Sequence, residues 1–219
     1  MNNKIAAFCF ACILSMHLHC RAQADDLFGK FKIFEGGLVF GSNITKIEGD
    51  MYSGYHKIGI QAGGVVYVHF NASFGISMEF LYAQKGARGG NVKESIYLGT
   101  YIDKYYLNIN YVELPLMLHF KAGLDYEAGI AYARLVKSDE WAEADVPVII
   151  KPAINFFSKE DFEYVGGVSL QLNKHWRAGV RFQYSIHPIR KWEQVPERYK
   201  QYGVNEYNNV VVLRVIYML

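Results

Sequence analysis

From residue 33 onward the chain is organised by a period of two. In 162–173 the apolar residues Phe162, Tyr164, Val168, Leu170 and Leu172 alternate with Glu163, Gly167, Ser169 and Gln171. In 176–187 the file Trp176, Ala178, Val180, Phe182, Tyr184 and Ile186 alternates with Arg177, Gly179, Arg181, Gln183 and Ser185. Alternate residues of an extended chain point to opposite faces, so each stretch is a two-faced strand, and the polar turn between them makes a hairpin. The same test predicts eight strands, at 33–44, 58–70, 74–86, 105–121, 124–136, 162–173, 176–187 and 207–219. No convincing helical period competes with them over this region. The connections alternate long and short: 45–57, 71–73, 87–104, 122–123, 137–161, 174–175 and 188–206. In an antiparallel meander consecutive connections lie at opposite ends, so this alternation puts every long loop on one rim and both termini on the other.

Which face meets water separates a soluble barrel from a membrane-spanning one. The runs reach the 9–11 residues or so that a tilted transmembrane strand needs. Their apolar faces carry unbroken files of large residues, such as Phe74, Ile76, Met78, Phe80 and Tyr82, or Val112, Leu114, Leu116, Leu118 and Phe120. The opposite faces hold Gly37, Gly41, Gly59, Gly63, Gly75, Gly129, Gly167 and Gly179. Glycine weakens a solvated strand but suits the crowded inside of a narrow barrel. Phe70, Phe74, Trp176 and Tyr217 fall near the short-turn rim, and Tyr82, Tyr132 and Tyr184 towards the other, as two interfacial girdles would. The expected fold is therefore all-β, an eight-stranded antiparallel up-and-down transmembrane β-barrel in an outer membrane. The expected orientation has periplasmic termini and four outward loops.

Composition refines this picture at the start of the chain. Lys4, the apolar stretch Ile5 to Met16 and the small residues Ala22 and Ala24 read as a signal peptide over 1–24, followed by one barrel domain over 25–219. All three cysteines, Cys9, Cys12 and Cys20, lie in that leader, which removes disulfide and thiolate-metal chemistry from the mature chain. Lys4 and Arg21 account for the formal excess of +2, so the rest is balanced and offers no basic face for nucleic acid.

Three segments then carry a resemblance: Gly36-Gly37-Leu38-Val39-Phe40-Gly41-Ser42-Asn43, Glu79-Phe80-Leu81-Tyr82-Ala83-Gln84-Lys85-Gly86 and Asn110-Tyr111-Val112-Glu113-Leu114-Pro115-Leu116. With Gly167 to Gln171 and Trp176 to Tyr184, they resemble the PorT-like outer-membrane β-barrel family of Bacteroidota. The resemblance covers essentially all of the mature chain. It implies fold and location and assigns no activity, and the ending Tyr217-Met218-Leu219 departs from the aromatic last residue common in that family.

With the apolar files towards lipid, Glu79, Lys85, Glu113, Lys121, Glu127, Arg177, Arg181 and Arg214 all point inward. A barrel of eight strands is only just wide enough to be filled by side chains, so these charges must pair. Glu79 and Glu113 facing Arg181 and Arg214 are expected to form a structural plug; a narrow transport pore is the alternative. Pro115 lacks a ladder N–H in mid-strand and predicts a bulge or local break. The histidines His56, His69, His119, His175 and His187 lack metal-ligand spacing, and no cofactor is expected. Ser185 and His187 share a strand face near the loop rim. They would serve a lipid-modifying enzyme, but no third partner is evident and no enzyme is expected. Function then falls to the loops. Ile149 and Phe156 in the apolar part of 137–161, and Arg190, Trp192, Arg198 and Tyr199 in 188–206, are the candidate contacts. They would meet outer-membrane lipid, another envelope protein or a surface glycan.

Overall fold

A computed structural model describes residues 32–50, 52, 54–89, 93–95, 100–144, 149–150, 156–195 and 204–219. The strands are β1 (Phe34–Glu48), β2 (Lys57–His69), β3 (Phe74–Gly89), β4 (Lys93–Ser95), β5 (Thr100–Ala122), β6 (Leu124–Ala144), β7 (Ile149–Ile150), β8 (Glu160–Gln171), β9 (Trp176–Ser185) and β10 (Tyr207–Met218). The eight long strands pair antiparallel with their chain neighbours. β1 also pairs with β10, from Gly37 against Met218 to Glu48 against Tyr207, so the sheet closes into a ring with no free edge. The short β4 and β7 extend the long-loop rim beside β5 and β6.

The short turns are set by local chemistry. At one, the Asn71 side chain accepts hydrogen bonds from the backbone N–H groups of Ser73 and Phe74, each at 2.8 Å. At another, Asn173 does the same for His175 and Trp176 at 2.9 Å. The side chain thus imitates the turn's own carbonyl. The third turn is Gly123 alone, whose φ of 78° is left-handed and suits a residue without a Cβ.

Outward-facing residues form an apolar belt that includes Phe40, Phe80, Leu116, Ile130, Tyr164, Val180 and Leu213. From Phe74 to Tyr82 the belt follows about 27 Å of strand at ~3.4 Å per residue. A tilt of roughly 40° reduces that to about 20 Å, near the ~25 Å apolar band of outer-membrane barrels. Ring pairs mark its borders, Phe74 with Phe120 at 5.0 Å and Trp176 with Tyr217 at 5.1 Å below, Tyr132 with Phe162 at 5.3 Å above. On the inner face some glycines lie too close to the neighbouring strand for a side chain. A Cβ on Gly129 would lie 2.0 Å from the Leu116 carbonyl oxygen, and one on Gly63 2.0 Å from that of Phe80.

Several strands run further towards the long-loop rim than their apolar alternation predicts. β5 begins at Thr100 and β6 continues to Ala144, so the start of the expected loop 137–161 is strand. An irregularity between Asn110 and Tyr111 passes over Val136. Beyond it the polar Lys137 and Asp139 face out and Glu140 and Ala142 face in, so the apolar alternation is lost although the strand continues. At Pro115 the β3–β5 pairing lapses between Met78–Leu116 and Leu81–Glu113 and resumes in the same register: a local break, not a bulge. The leader expected at 1–24 lies outside the described residues.

Candidate functional site

The inner face carries a column of charged and polar side chains that reaches from one mouth of the barrel to the other. At the short-turn mouth, Arg177 Nη2 donates to Glu35 Oε2 at 3.2 Å, and His69 Nε2 lies 3.0 Å from the same oxygen. The Arg177 guanidinium stacks over Tyr67 at 4.8 Å and approaches Asp125 at 3.8 Å. His119 bridges Asp125 Oδ1 at 3.1 Å and Ser77 Oγ at 2.7 Å. That is the order of a nucleophile, a base and an orienting carboxylate, on β3, β5 and β6. A working relay also needs room for a reacting carbonyl about 3 Å from the nucleophile. Ser77 is 1% exposed, which leaves no such room at its hydroxyl.

One level up, Arg181 of β9 binds two carboxylates. Its Nη1 and Nη2 donate to Glu79 at 3.0 and 2.9 Å, and its Nε and Nη2 donate to Glu127 at 2.7 and 3.0 Å. Arg214 of β10 donates to both oxygens of Glu79 at 3.1 and 2.8 Å. Glu79 therefore takes two guanidinium forks, the geometry in which charge-assisted hydrogen bonds are strongest. Above them Lys85 Nζ lies 2.5 Å from Glu113 Oε1 and 2.5 Å from Glu163 Oε1. Higher still, Asp161 accepts from Ser185 Oγ and from Asn208 Nδ2, each at 2.8 Å, and Asn208 also contacts the Tyr111 hydroxyl at 3.3 Å.

The long-loop mouth is closed by Arg190. Its guanidinium donates to Glu140 at 2.9 and 3.0 Å and to Glu206 at 2.8 and 2.9 Å, over the Phe157 ring at 4.3 Å. Tyr105 donates to Glu140 at 2.7 Å and stacks on Tyr52. Burial disfavours the Arg190 charge, but Glu206 and Glu140 outweigh it and hold the group above its ordinary value. The β9–β10 connection is thereby tied across the mouth to β6.

The charges that period two turns inward lie on the inner face with the following partners. Glu79 does meet Arg181 and Arg214. Glu113 instead meets Lys85 and, at 3.4 Å, Gln61. Glu127 and Glu163 are the missing partners, because the stagger between strands, not the face alone, decides which inward residues share a level. Lys121 is half-buried at the short-turn mouth. Ser185 is buried on Asp161 while His187 is exposed, so the pair considered for hydrolysis is not assembled. Arg190 is 1% exposed and committed to two carboxylates, which corrects its reading as an exposed loop contact. Phe156 and Trp192 are exposed on the long-loop side. Arg198 and Tyr199, and the side chain of Ile149, lie outside what is described. Among the described residues no group of three or more His, Cys, Asp or Glu is placed to hold a metal ion.

A family model described as "Outer membrane protein beta-barrel domain" matches residues 22–191. Among solved structures, the attachment invasion locus protein Ail of Yersinia pestis is similar at 13% identity over 86% of this chain and 100% of that one, with a TM-score of 0.47. Neisserial surface protein A is similar at 9% identity over 85% and 97%, with a TM-score of 0.47. The outer membrane protein OprG from Pseudomonas aeruginosa is similar at 14% identity over 85% and 94%, with a TM-score of 0.37. No curated protein sequence matches the chain.

Proposed function

Because the chain belongs to the outer membrane protein beta-barrel domain family, we propose that it is a non-conducting envelope barrel that works as a scaffold and binding protein through its long connections. The observation that carries this reading is the column of buried ion pairs, from Arg177 through Arg181 and Lys85 to Arg190, in a ring of eight strands. Aqueous channels belong to barrels of about 16–18 strands, and one of eight is filled by its own side chains. Arg181 and Lys85 are both fully buried in the lumen, which weighs against a small transport pore.

The long-loop rim faces outward in this proposal, with both termini in the periplasm, in line with the short periplasmic turns of such barrels. Exposed Phe156 and Trp192 then offer an apolar and aromatic surface to another envelope protein, a surface glycan or lipid. No enzymatic role and no cofactor are assigned. The segments Tyr82 to Gly86 and Asn110 to Leu116 support the finer reading of a PorT-like outer-membrane barrel, with no tie to a secretion role. Single-channel recording of the refolded protein in planar bilayers tests the reading. The expected result is no conductance step at either polarity; steps whose size changes when Arg181 or Glu113 is neutralised would establish a pore instead.

A further inference from the structure

On the outer wall, just above the apolar belt, the barrel has a polar notch of about 200 Å³ lined by Lys57, Gln84, Asn108, Asn110, Lys137 and Asp139. It lies where the β2–β3 ladder ends. The β2–β3 ladder runs from His69–Gly75 to Gln61–Ala83 and stops, while β3 stays paired to β5 through Gln84–Asn110 and beyond. Beyond the ladder Gly59 of β2 still lies against the Gln84 carbonyl, and two β3 carbonyls take side-chain donors from inside the barrel. Asn43 Nδ2 donates to the Gln84 oxygen at 3.0 Å and Thr45 Oγ1 to the Gly86 oxygen at 2.6 Å. Gly86, at φ 131°, bends β3 there. The wall therefore stays closed behind the depression. The Lys57 ammonium donates to Oδ1 of the Asn108 side chain. Lys137 and Asp139 make no ion pair among the described residues.

Two ammonium groups with three carboxamides and one carboxylate suit an anion carried on a polyhydroxylated group. The cations meet the phosphate, and the amides exchange hydrogen bonds with hydroxyls. Exposed Tyr82 lies two residues below Gln84 on the same face of β3, and Phe80 two below that, so acyl chains attached to the same ligand would continue down the belt. We propose that this notch binds the phosphorylated sugar headgroup of an outer-leaflet glycolipid, with Lys57 and Lys137 on the phosphate and Gln84, Asn108, Asn110 and Asp139 on the sugar. The proposal rests on the outward orientation given above for the long-loop rim.

The test is native mass spectrometry of the refolded full barrel released from detergent, titrated with diphosphorylated lipid A, with phosphatidylglycerol and with free glucosamine 1-phosphate. Refolding of each variant is checked by heat-modifiable mobility on a gel. Lipid A is expected to bind stoichiometrically, and the combined Lys57→Gln and Lys137→Gln substitutions to weaken it at least about tenfold, since two charge-assisted contacts are lost. Lys174→Gln, on the exposed turn at the other rim, is expected to change nothing. Phosphatidylglycerol should bind several-fold more weakly and the free sugar phosphate not measurably. Equal lipid A affinity of the double variant and the wild type overturns the site. Phosphatidylglycerol binding as tight as lipid A and equally sensitive to the lysines overturns the sugar component. Orientation is read separately, by labelling K104C and K174C in whole cells. Labelling of K174C alone would overturn the outward rim, and with it the outer leaflet, whatever the micelle titration shows.

Discussion

Replacing Arg181 with methionine removes one side chain from the centre of the lumen and leaves its volume nearly filled. Four hydrogen bonds of 2.7 to 3.0 Å are lost. Glu79 keeps Arg214, whereas Glu127 is left without a donor among the described side chains. Breaking a buried ion pair from one side costs about 3–5 kcal/mol, because the stranded charge keeps its desolvation penalty. Adding Glu127→Gln removes that charge and should return the total cost to roughly 2 kcal/mol, below that of Arg181→Met alone, so the positions couple by at least about 2 kcal/mol. The assay is urea unfolding of the barrel in lipid vesicles, followed by the fluorescence of Trp141, Trp176 and Trp192. A single-variant loss below about 1 kcal/mol would refute the reasoning, and so would a double variant whose cost is the sum of the two singles.

The close approach at Gly129 predicts that Gly129→Val blocks closure, since its first carbon already falls 2.0 Å from the Leu116 oxygen; the refolded, heat-modifiable gel band should be lost, while Ala128→Val on the exposed face refolds. Asn43→Ala strips the Gln84 carbonyl of its donor and should cost about 1–3 kcal/mol in the same urea assay. Arg190→Ala should release the β9–β10 connection from β6, seen as faster protease cleavage within 186–206, with the lipid-embedded strands still protected.

The fold was legible in the sequence because one force dominated it. Lipid on one side and a crowded polar interior on the other forced strict alternation, as in the files Phe74 to Tyr82 and Trp176 to Ile186. The alternation of long and short connections then gave the meander and its two rims. What escaped notice lies where that force stops. Above the belt the outer face turns polar while Tyr105, Leu107, Ile109 and Ala142 fill the inside. The run Lys137 to Glu140 is polar on both faces, so the extension of β6 past Val136 carried no apolar signal and Glu140 gave no sign of its pairing with Arg190. Within the lumen, inward direction was readable for Glu113 and Arg181 but height was not. Strand stagger is a property of the closed ring, and it placed Glu113 beside Lys85 and Glu127 beside Arg181. The Ser77, His119 and Asp125 contact likewise joins three strands and has no local motif.

The central claim is that the file containing Trp176, Val180 and Phe182 faces lipid while Arg177, Arg181 and Gln183 face a closed interior. It is tested most directly by placing a fluorophore on single cysteines at each position from Trp176 to Ser185, in a chain starting at residue 25, which has no cysteine of its own. Quenching by lipids brominated along the acyl chain is then measured in vesicles. Strong quenching is expected at even-numbered positions, greatest near Val180 and Phe182, and little at odd ones. Quenching without alternation, or stronger at Gln183 than at Phe182, would contradict it.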